Sequence, residues 1–102
     1  MKTVNTILEA TELVREYNNE IGIYGTQYFN LELEDETVTI RVSDHSANAN
    51  NNHWYNEEKT ISFVRKWNKQ QCNMRAEYII DEEGICTEYG NTIEWALKFE
   101  LE

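Results

Sequence analysis

Hydrophobic and polar residues alternate along two neighbouring segments of the chain. Six apolar residues occupy every second position on either side of residues 35–36: Phe29, Leu31, Leu33, Val38, Ile40 and Val42. Strict alternation is typical of strands that bury one face. A turn at Asp35-Glu36 pairs Leu33 with Val38 and places both apolar sets on the same face. We therefore predict a β-hairpin with this register.

Three later segments also have strand character. Residues 59–67 are rich in β-branched and aromatic side chains, which favours a third strand. Residues 76–81 and 85–89 flank the stretch 82–84, where Gly84 suits a bulged hairpin turn. Together with the first hairpin, these segments predict a five-stranded antiparallel meander.

The two ends of the chain have helical periodicity instead. Between residues 4 and 18, apolar residues recur three and four positions apart, and Thr6 with Glu9 can form a capping box. The pattern returns at residues 91–101, where Asn91 is the expected cap. We therefore predict one helix at each end of the chain.

The combined pattern predicts an α+β fold, in which an N-terminal and a C-terminal helix pack on one face of the five-stranded sheet. The 102 residues include 40% hydrophobic and 12% aromatic side chains, enough for one core. We expect a single domain over residues 1–102.

The chain is strongly acidic, with a net charge of −10. This charge repels phosphate backbones and anionic lipids, and it favours a basic protein partner. The chain contains no apolar segment of membrane-spanning length, and its first residues lack the apolar stretch of a secretory signal. We expect a cytoplasmic protein without membrane contact.

Catalytic chemistry finds little support in the sequence. Ser43, Asp44 and His45 are consecutive, so in an extended chain their side chains point to alternating faces and cannot form a nucleophile, base and orienting group. The other carboxylates fall mostly on predicted solvent faces. We expect a protein that is not an enzyme.

A polar stretch at residues 41–56 follows the second predicted strand and contains five asparagines and both histidines. Asparagine suits turns, because its side chain bonds its own backbone and tolerates left-handed conformations. Long connections inside compact domains are often functional. This stretch is therefore a candidate functional region.

The two histidines of this stretch and the two later cysteines favour zinc as a bound metal. The chain contains its preferred nitrogen and sulfur donors at His45, His53, Cys72 and Cys86, without the close spacing of a zinc knuckle. An antiparallel meander brings His45, His53 and Cys86 to one end of the sheet. It places Cys72 near the other end, because a strand of eight residues spans about 26 Å. Asp44 or Asp81 is then the fourth ligand. The alternative is that Cys86 packs in the core and both histidines are solvated.

Basic residues concentrate in one segment. Residues 59–75 carry a charge of +5 and no acid, whereas the rest of the chain carries −15. Together with Phe63 and Trp67, they could bind single-stranded nucleic acid by stacking. The −15 elsewhere opposes phosphate binding, so we favour basic residues that balance the surrounding carboxylates. The basic residues are Lys59, Arg65, Lys66, Lys69 and Arg75.

Three segments carry a family resemblance: IRVSDHSAN at 40–48, TISFV at 60–64 and EYIIDEEG at 77–84. They resemble small proteins of phages and mobile elements of Gram-positive bacteria, among them type II-A anti-CRISPR proteins, over roughly residues 29–97. The resemblance implies a compact acidic inhibitor in the bacterial host cell. Such an inhibitor binds Cas9 and blocks loading of target DNA, in some cases with a bound zinc ion.

Cas9 holds its nucleic acids in a positively charged channel, which an acidic protein can occupy. Our candidate contacts are the acidic residues of the two predicted hairpins: Glu32, Glu34, Asp35, Glu36, Glu82 and Glu83. Two alternatives stay open. The chain could be a phage accessory protein with a structural metal and another protein partner, or a single-stranded nucleic-acid binder that uses residues 59–75.

Overall fold

The computed structural model describes residues 1–20, 25–43, 59–67, 70–81, 83–86 and 90–101 of the chain. These residues form two helices and one six-stranded sheet, so the coarse α+β class is as predicted. In chain order the elements are β1 (Lys2–Val4), α1 (Ile7–Glu20), β2 (Thr26–Glu32), β3 (Glu36–Ser43), β4 (Lys59–Trp67), β5 (Gln70–Asp81), β6 (Gly84–Cys86) and α2 (Ile93–Leu101).

The sheet is mixed, which corrects the predicted five-stranded antiparallel meander. Its strands follow chain order, and β2 to β6 are antiparallel neighbours. β1 adds a sixth strand parallel to β2, with Thr3 opposite Asn30, and α1 is the crossover that parallel strands require. Three residues are too few to show alternation, and the buried Val4 fits a helical pattern equally well.

The first hairpin has the predicted faces but a different register. Leu31, rather than Leu33, lies opposite Val38. The turn comprises residues 34–35 and is closed by the Leu33 N–H, which donates to the Glu36 carbonyl at 2.8 Å. A two-residue turn that moves by one position shifts the pairing by two residues. Both registers bury the same face, so alternation alone does not distinguish them.

β5 is longer than predicted, because it begins at Gln70 instead of Ala76. Its register opposite β4 shifts between Phe63 and Val64 and again between Val64 and Lys66. Such β-bulges add residues that break strict alternation. The sequence pattern therefore identified only the regular second half of this strand.

β6 is described only from Gly84 to Cys86, and residues 87–89 of its predicted span lie outside the described residues. Gly84 lies opposite Asp81 with φ of 133°, a backbone conformation that favours glycine. The Asp81 Oδ1 atom accepts the Glu83 N–H at 2.9 Å. The second hairpin is therefore present as predicted, but Gly84 belongs to β6 rather than to a three-residue turn at 82–84.

Both helices contribute to a single core on one face of the sheet. Every second residue of β3 from Val38 to Val42 is fully buried, and the intervening residues are partly exposed. Fully burying one aliphatic or aromatic side chain stabilises a fold by roughly 1.5–3 kcal/mol. The core residues are Val4, Ala10, Leu13, Val14, Phe29, Leu31, Val38, Ile40, Val42, Ile61, Phe63, Ile80, Ile85, Ile93, Ala96 and Leu97.

Threonine hydroxyls cap both helices. As predicted for α1, the Thr6 Oγ1 atom accepts the Glu9 N–H at 3.1 Å, and its hydroxyl donates to the Glu9 carboxylate at 3.0 Å. At α2, the Thr92 Oγ1 atom accepts the Trp95 N–H at 3.3 Å. The cap predicted at Asn91 is therefore wrong by one residue. Neither helix in the described part of the chain is long and apolar enough to cross a membrane.

The cap of α1 gives a first prediction. Thr6→Ala removes an acceptor from an otherwise unsatisfied backbone N–H, and we expect it to lower the free energy of unfolding by about 1 kcal/mol. Thr6→Ser keeps the hydroxyl and should stay close to the parent protein. Urea unfolding followed by circular dichroism measures both. Equal stability of the alanine and serine variants would contradict the capping role.

Candidate functional site

The turn between β2 and β3 gathers exposed carboxylates at one end of the sheet. Glu34 and Asp35 form this turn, and Glu32 ends β2; all three are exposed. The Thr37 hydroxyl donates to the Glu32 carboxylate at 2.9 Å across the hairpin, which restrains it. We call Glu32, Glu34 and Asp35 the acidic end. Three like charges this close attract cations and repel phosphate.

Glu36, a predicted contact residue, is instead engaged in a buried ion pair with Arg65. The Arg65 Nε atom donates to Glu36 Oε2 at 2.6 Å, and Nη2 donates to Oε1. Only 7% of either side chain is exposed. Because this carboxylate is buried and used within the fold, we correct the prediction and exclude Glu36 from the acidic end.

Arg65 also binds the C-terminal end of α2. Its Nη1 atom donates to the Glu100 carbonyl oxygen at 2.8 Å, one of the carbonyls that a helix end leaves without an intrahelical partner. The Tyr78 hydroxyl, on β5, donates to the Glu100 carboxylate. Burial raises the pKa of Tyr78 above its ordinary value, and the Glu100 carboxylate raises it further. The last turn of α2 is therefore attached to both β4 and β5.

Trp67 completes this group at the end of β4. Its ring centroid lies 4.8 Å from the Arg65 guanidinium carbon, a cation–π contact, and 40% of the residue is exposed. Trp67 lies opposite Glu36 in the sheet, so it is adjacent to the acidic end.

Sequence reasoning missed the ion pair, although β4 contains a signal for it. Arg65 stands two and four residues after Phe63 and Ile61, and alternation therefore places it on the same buried face. An arginine on a buried face requires a charged or hydrogen-bonding partner. The nearest acid on the same face of the neighbouring strand is Glu36.

The second hairpin does not extend the acidic end. Glu83 is exposed beside β6, and Glu82 lies outside the described residues. Successive turns of an antiparallel meander lie at opposite ends of its sheet, so the β5–β6 turn lies at the other end from the β2–β3 turn. The eight residues of β3 between these ends span about 26 Å. Glu83 and the acidic end are therefore two separate groups of negative charge.

The predicted metal ligands are not brought together in the described part of the chain. His45, His53 and Asp44 lie outside it. Cys86 is opposite Ile79, and Cys72 is seven residues from Ile79 along β5, so the two cysteine backbones are about 23 Å apart. One ion cannot bind both cysteines, in line with the expectation that Cys72 lies at the other end of the sheet, and the zinc site stays a prediction. Among the described residues, no three histidine, cysteine or acidic side chains form a group suited to a metal.

Two of the five basic residues in the segment 59–75 are used inside the fold. The Lys59 Nζ atom donates to the Asn18 carbonyl at 2.5 Å, and Arg65 is in the ion pair with Glu36. Phe63 is fully buried, so it is not available to stack on a base. Lys66 and Trp67 remain exposed. Lys69 and the side chain of Arg75 lie outside what the structure describes, so binding of single-stranded nucleic acid by residues 59–75 stays a prediction.

Comparison with known proteins finds no matching family model, no matching curated protein and no matching solved structure. The resemblance to anti-CRISPR proteins therefore stays a prediction.

The buried ion pair gives a second prediction. Arg65→Met leaves the Glu36 carboxylate buried without its partner, and we expect it to lower the free energy of unfolding by about 3–5 kcal/mol. Replacing both residues, with Arg65→Met and Glu36→Leu, should recover most of the loss, because no unpaired charge is then buried. Urea unfolding of the parent and the single and double variants measures this. A double variant as unstable as Arg65→Met would contradict the pairing.

The Tyr78 hydrogen bond gives a third prediction. A tyrosine whose pKa is higher in the folded state stabilises the fold below its unfolded pKa of about 10, and it loses this contribution as pH rises further. We therefore expect the free energy of unfolding to decline above about pH 10, and to decline less steeply in Tyr78→Phe. Urea unfolding of both proteins across this pH range tests the difference. Equal slopes would show that Tyr78 does not cause it.

Proposed function

We propose that this chain is a non-enzymatic inhibitor of the anti-CRISPR type, which binds a basic nucleic-acid-binding protein and blocks loading of target DNA. The resemblance at 40–48, 60–64 and 77–84 makes Cas9 the first partner to test. The main support from the structure is the acidic end, whose three carboxylates are exposed at one end of the sheet.

The physical mechanism is electrostatic competition. Cas9 recognises its guide and target through backbone shape in a positively charged channel, where negative charge is favoured without reference to base sequence. Carboxylates on a folded protein can occupy such a surface in place of phosphates. The net charge of −10 also steers the chain toward a basic surface over distances of about one Debye length.

The acidic end is built on a well-supported part of the fold. It joins β2 to β3, and β3 is a central strand whose Val38 and Ile40 are fully buried. The turn is closed by the hydrogen bond from Leu33 to Glu36, and Glu36 is itself held by Arg65. Carboxylates on a rigid hairpin lose little conformational freedom when they bind.

A binding assay across a salt series tests this function. Cas9 loaded with guide RNA is immobilised, and the chain is passed over it at ionic strengths from about 0.05 M to 0.5 M. We expect binding that weakens as salt rises, together with reduced cleavage of target DNA. Failure to bind at the lowest salt would remove Cas9 as the partner.

A charge-neutralised variant locates the surface and gives a fourth prediction. Replacing the acidic end by Glu32→Gln, Glu34→Gln and Asp35→Asn should slow association about tenfold and flatten its salt dependence, because steering depends on these charges.

The matched control for this variant removes the same charge elsewhere. Glu12, Glu16 and Glu20 are exposed along α1, and changing all three to Gln alters net charge by the same amount. We expect this control to associate nearly as fast as the parent. Equal slowing of both variants would mean that net charge, rather than the acidic end, controls association.

A further inference from the structure

Trp67 is an exposed aromatic residue placed directly beside the acidic end. It lies opposite Glu36 in the sheet, and Glu36 closes the turn that carries Glu34 and Asp35. At 40% exposure, much of its indole is available to a partner. Tryptophan is among the residues most enriched at energetically dominant interface positions.

The indole of Trp67 is held from within the fold. The Arg65 guanidinium lies 4.8 Å from the ring centroid, and Glu36 and the Glu100 carbonyl bind that guanidinium at 2.6 and 2.8 Å. Arg65 is therefore fixed by two different elements, β3 and α2. A side chain that rests on a fixed group loses less conformational freedom on binding than a mobile one.

Stability alone gives a weak reason for the arginine at this place. Arg65 follows Ile61 and Phe63 on the buried face of β4, and apolar residues in place of a buried ion pair are often neutral or stabilising. The Arg65 guanidinium beside the Trp67 ring makes a cation–π contact that an aliphatic side chain cannot make. It attracts the indole face and orients the ring at the end of the strand.

We propose that Trp67 is the anchor residue of a protein-binding surface that includes the acidic end, and that its occupant is a cationic protein surface with an apolar pocket for the indole. The proposal rests on the proposed function and names the residue through which that function acts. Ring burial provides the central apolar contact, and Glu34 and Asp35 in the adjacent turn pair with cationic groups beside it. Glu32 lies opposite Thr37, on the other face of the sheet, and adds charge at the same end.

Charge complementarity selects this occupant. Nucleic-acid bases stack well on tryptophan, but the carboxylates at this end of the sheet repel the phosphates that come with them. A second copy of the chain would bring two net charges of −10 and two acidic ends together. A cationic protein surface with an apolar pocket can bury the ring and pair with the carboxylates.

Binding to Cas9 loaded with guide RNA is the first part of the test. Trp67→Ala should weaken affinity at least about tenfold, mainly through faster dissociation, and leave the salt dependence of association unchanged. Trp67→Phe should retain most of the affinity. Phe99→Ala is the control, because it removes a more exposed aromatic, at 60%, from α2. Thermal unfolding confirms that each variant is folded.

The second part does not require Cas9. Deca-arginine is titrated into ¹⁵N-labelled protein, and the Trp67 indole N–H signal is assigned by its absence from the Trp67→Phe spectrum. We expect this signal to shift more than that of Trp95, whose indole is on α2. A Trp67 signal that stays in place while the peptide binds would overturn the proposal, whatever Cas9 does.

The outcomes separate the two proposals. If the parent binds Cas9 and Trp67→Ala binds equally well, the anchor role is overturned and the proposed function stands. If the parent does not bind Cas9 but the Trp67 signal shifts with deca-arginine, the proposed function fails and the cationic surface stands. Two results would show that the occupant is not a cationic protein surface. One is a dimer of the parent in sedimentation that is lost in Trp67→Ala, which would indicate a second copy of the chain. The other is Trp67-dependent binding of oligothymidylate that is tighter than binding of Cas9, which would indicate a nucleic acid.

Discussion

The buried ion pair between Arg65 and Glu36 joins parts of the molecule that are distant in sequence. It links the central strands β3 and β4 to each other and, through the Glu100 carbonyl, to the last turn of α2. A buried charge without its partner costs several kcal/mol, so loss of either charged residue destabilises this part of the fold. The end of α2 is thus held by a hydrogen bond from the buried Arg65 as well as by apolar packing.

The order of the strands decides which charges act together. Antiparallel neighbours send successive turns to opposite ends of a sheet, so Glu83 and the acidic end are separated by the length of β3. The charges that sum to −10 therefore do not act as one uniform field around the molecule. What a partner meets depends on the end it approaches, and at the acidic end it meets the exposed Trp67.

Sequence patterns predicted the faces of this fold better than its pairings. Alternation identified the buried side of β2 and β3, but it does not distinguish registers that differ by two residues. It also does not identify β1, which has only three residues, or the half of β5 in which bulges break the pattern. For the site, the exposure of Glu34 followed from the polar face of the first predicted strand, and that of Asp35 from the predicted turn. The burial of Glu36 depended on a partner from another strand, although the position of Arg65 on the buried face of β4 indicated that one was needed.

The bulges of β5 bear on how the protein behaves at high concentration. β6 pairs only with the last three residues of β5, and no described strand pairs with its outer edge over residues 70–76. A long regular edge is a template for a strand from another chain and so for aggregation. Two register shifts near Val64 interrupt that regularity and increase the local twist. The same irregularity that hid this half of β5 from sequence analysis thus protects the folded chain from adding strands of its neighbours.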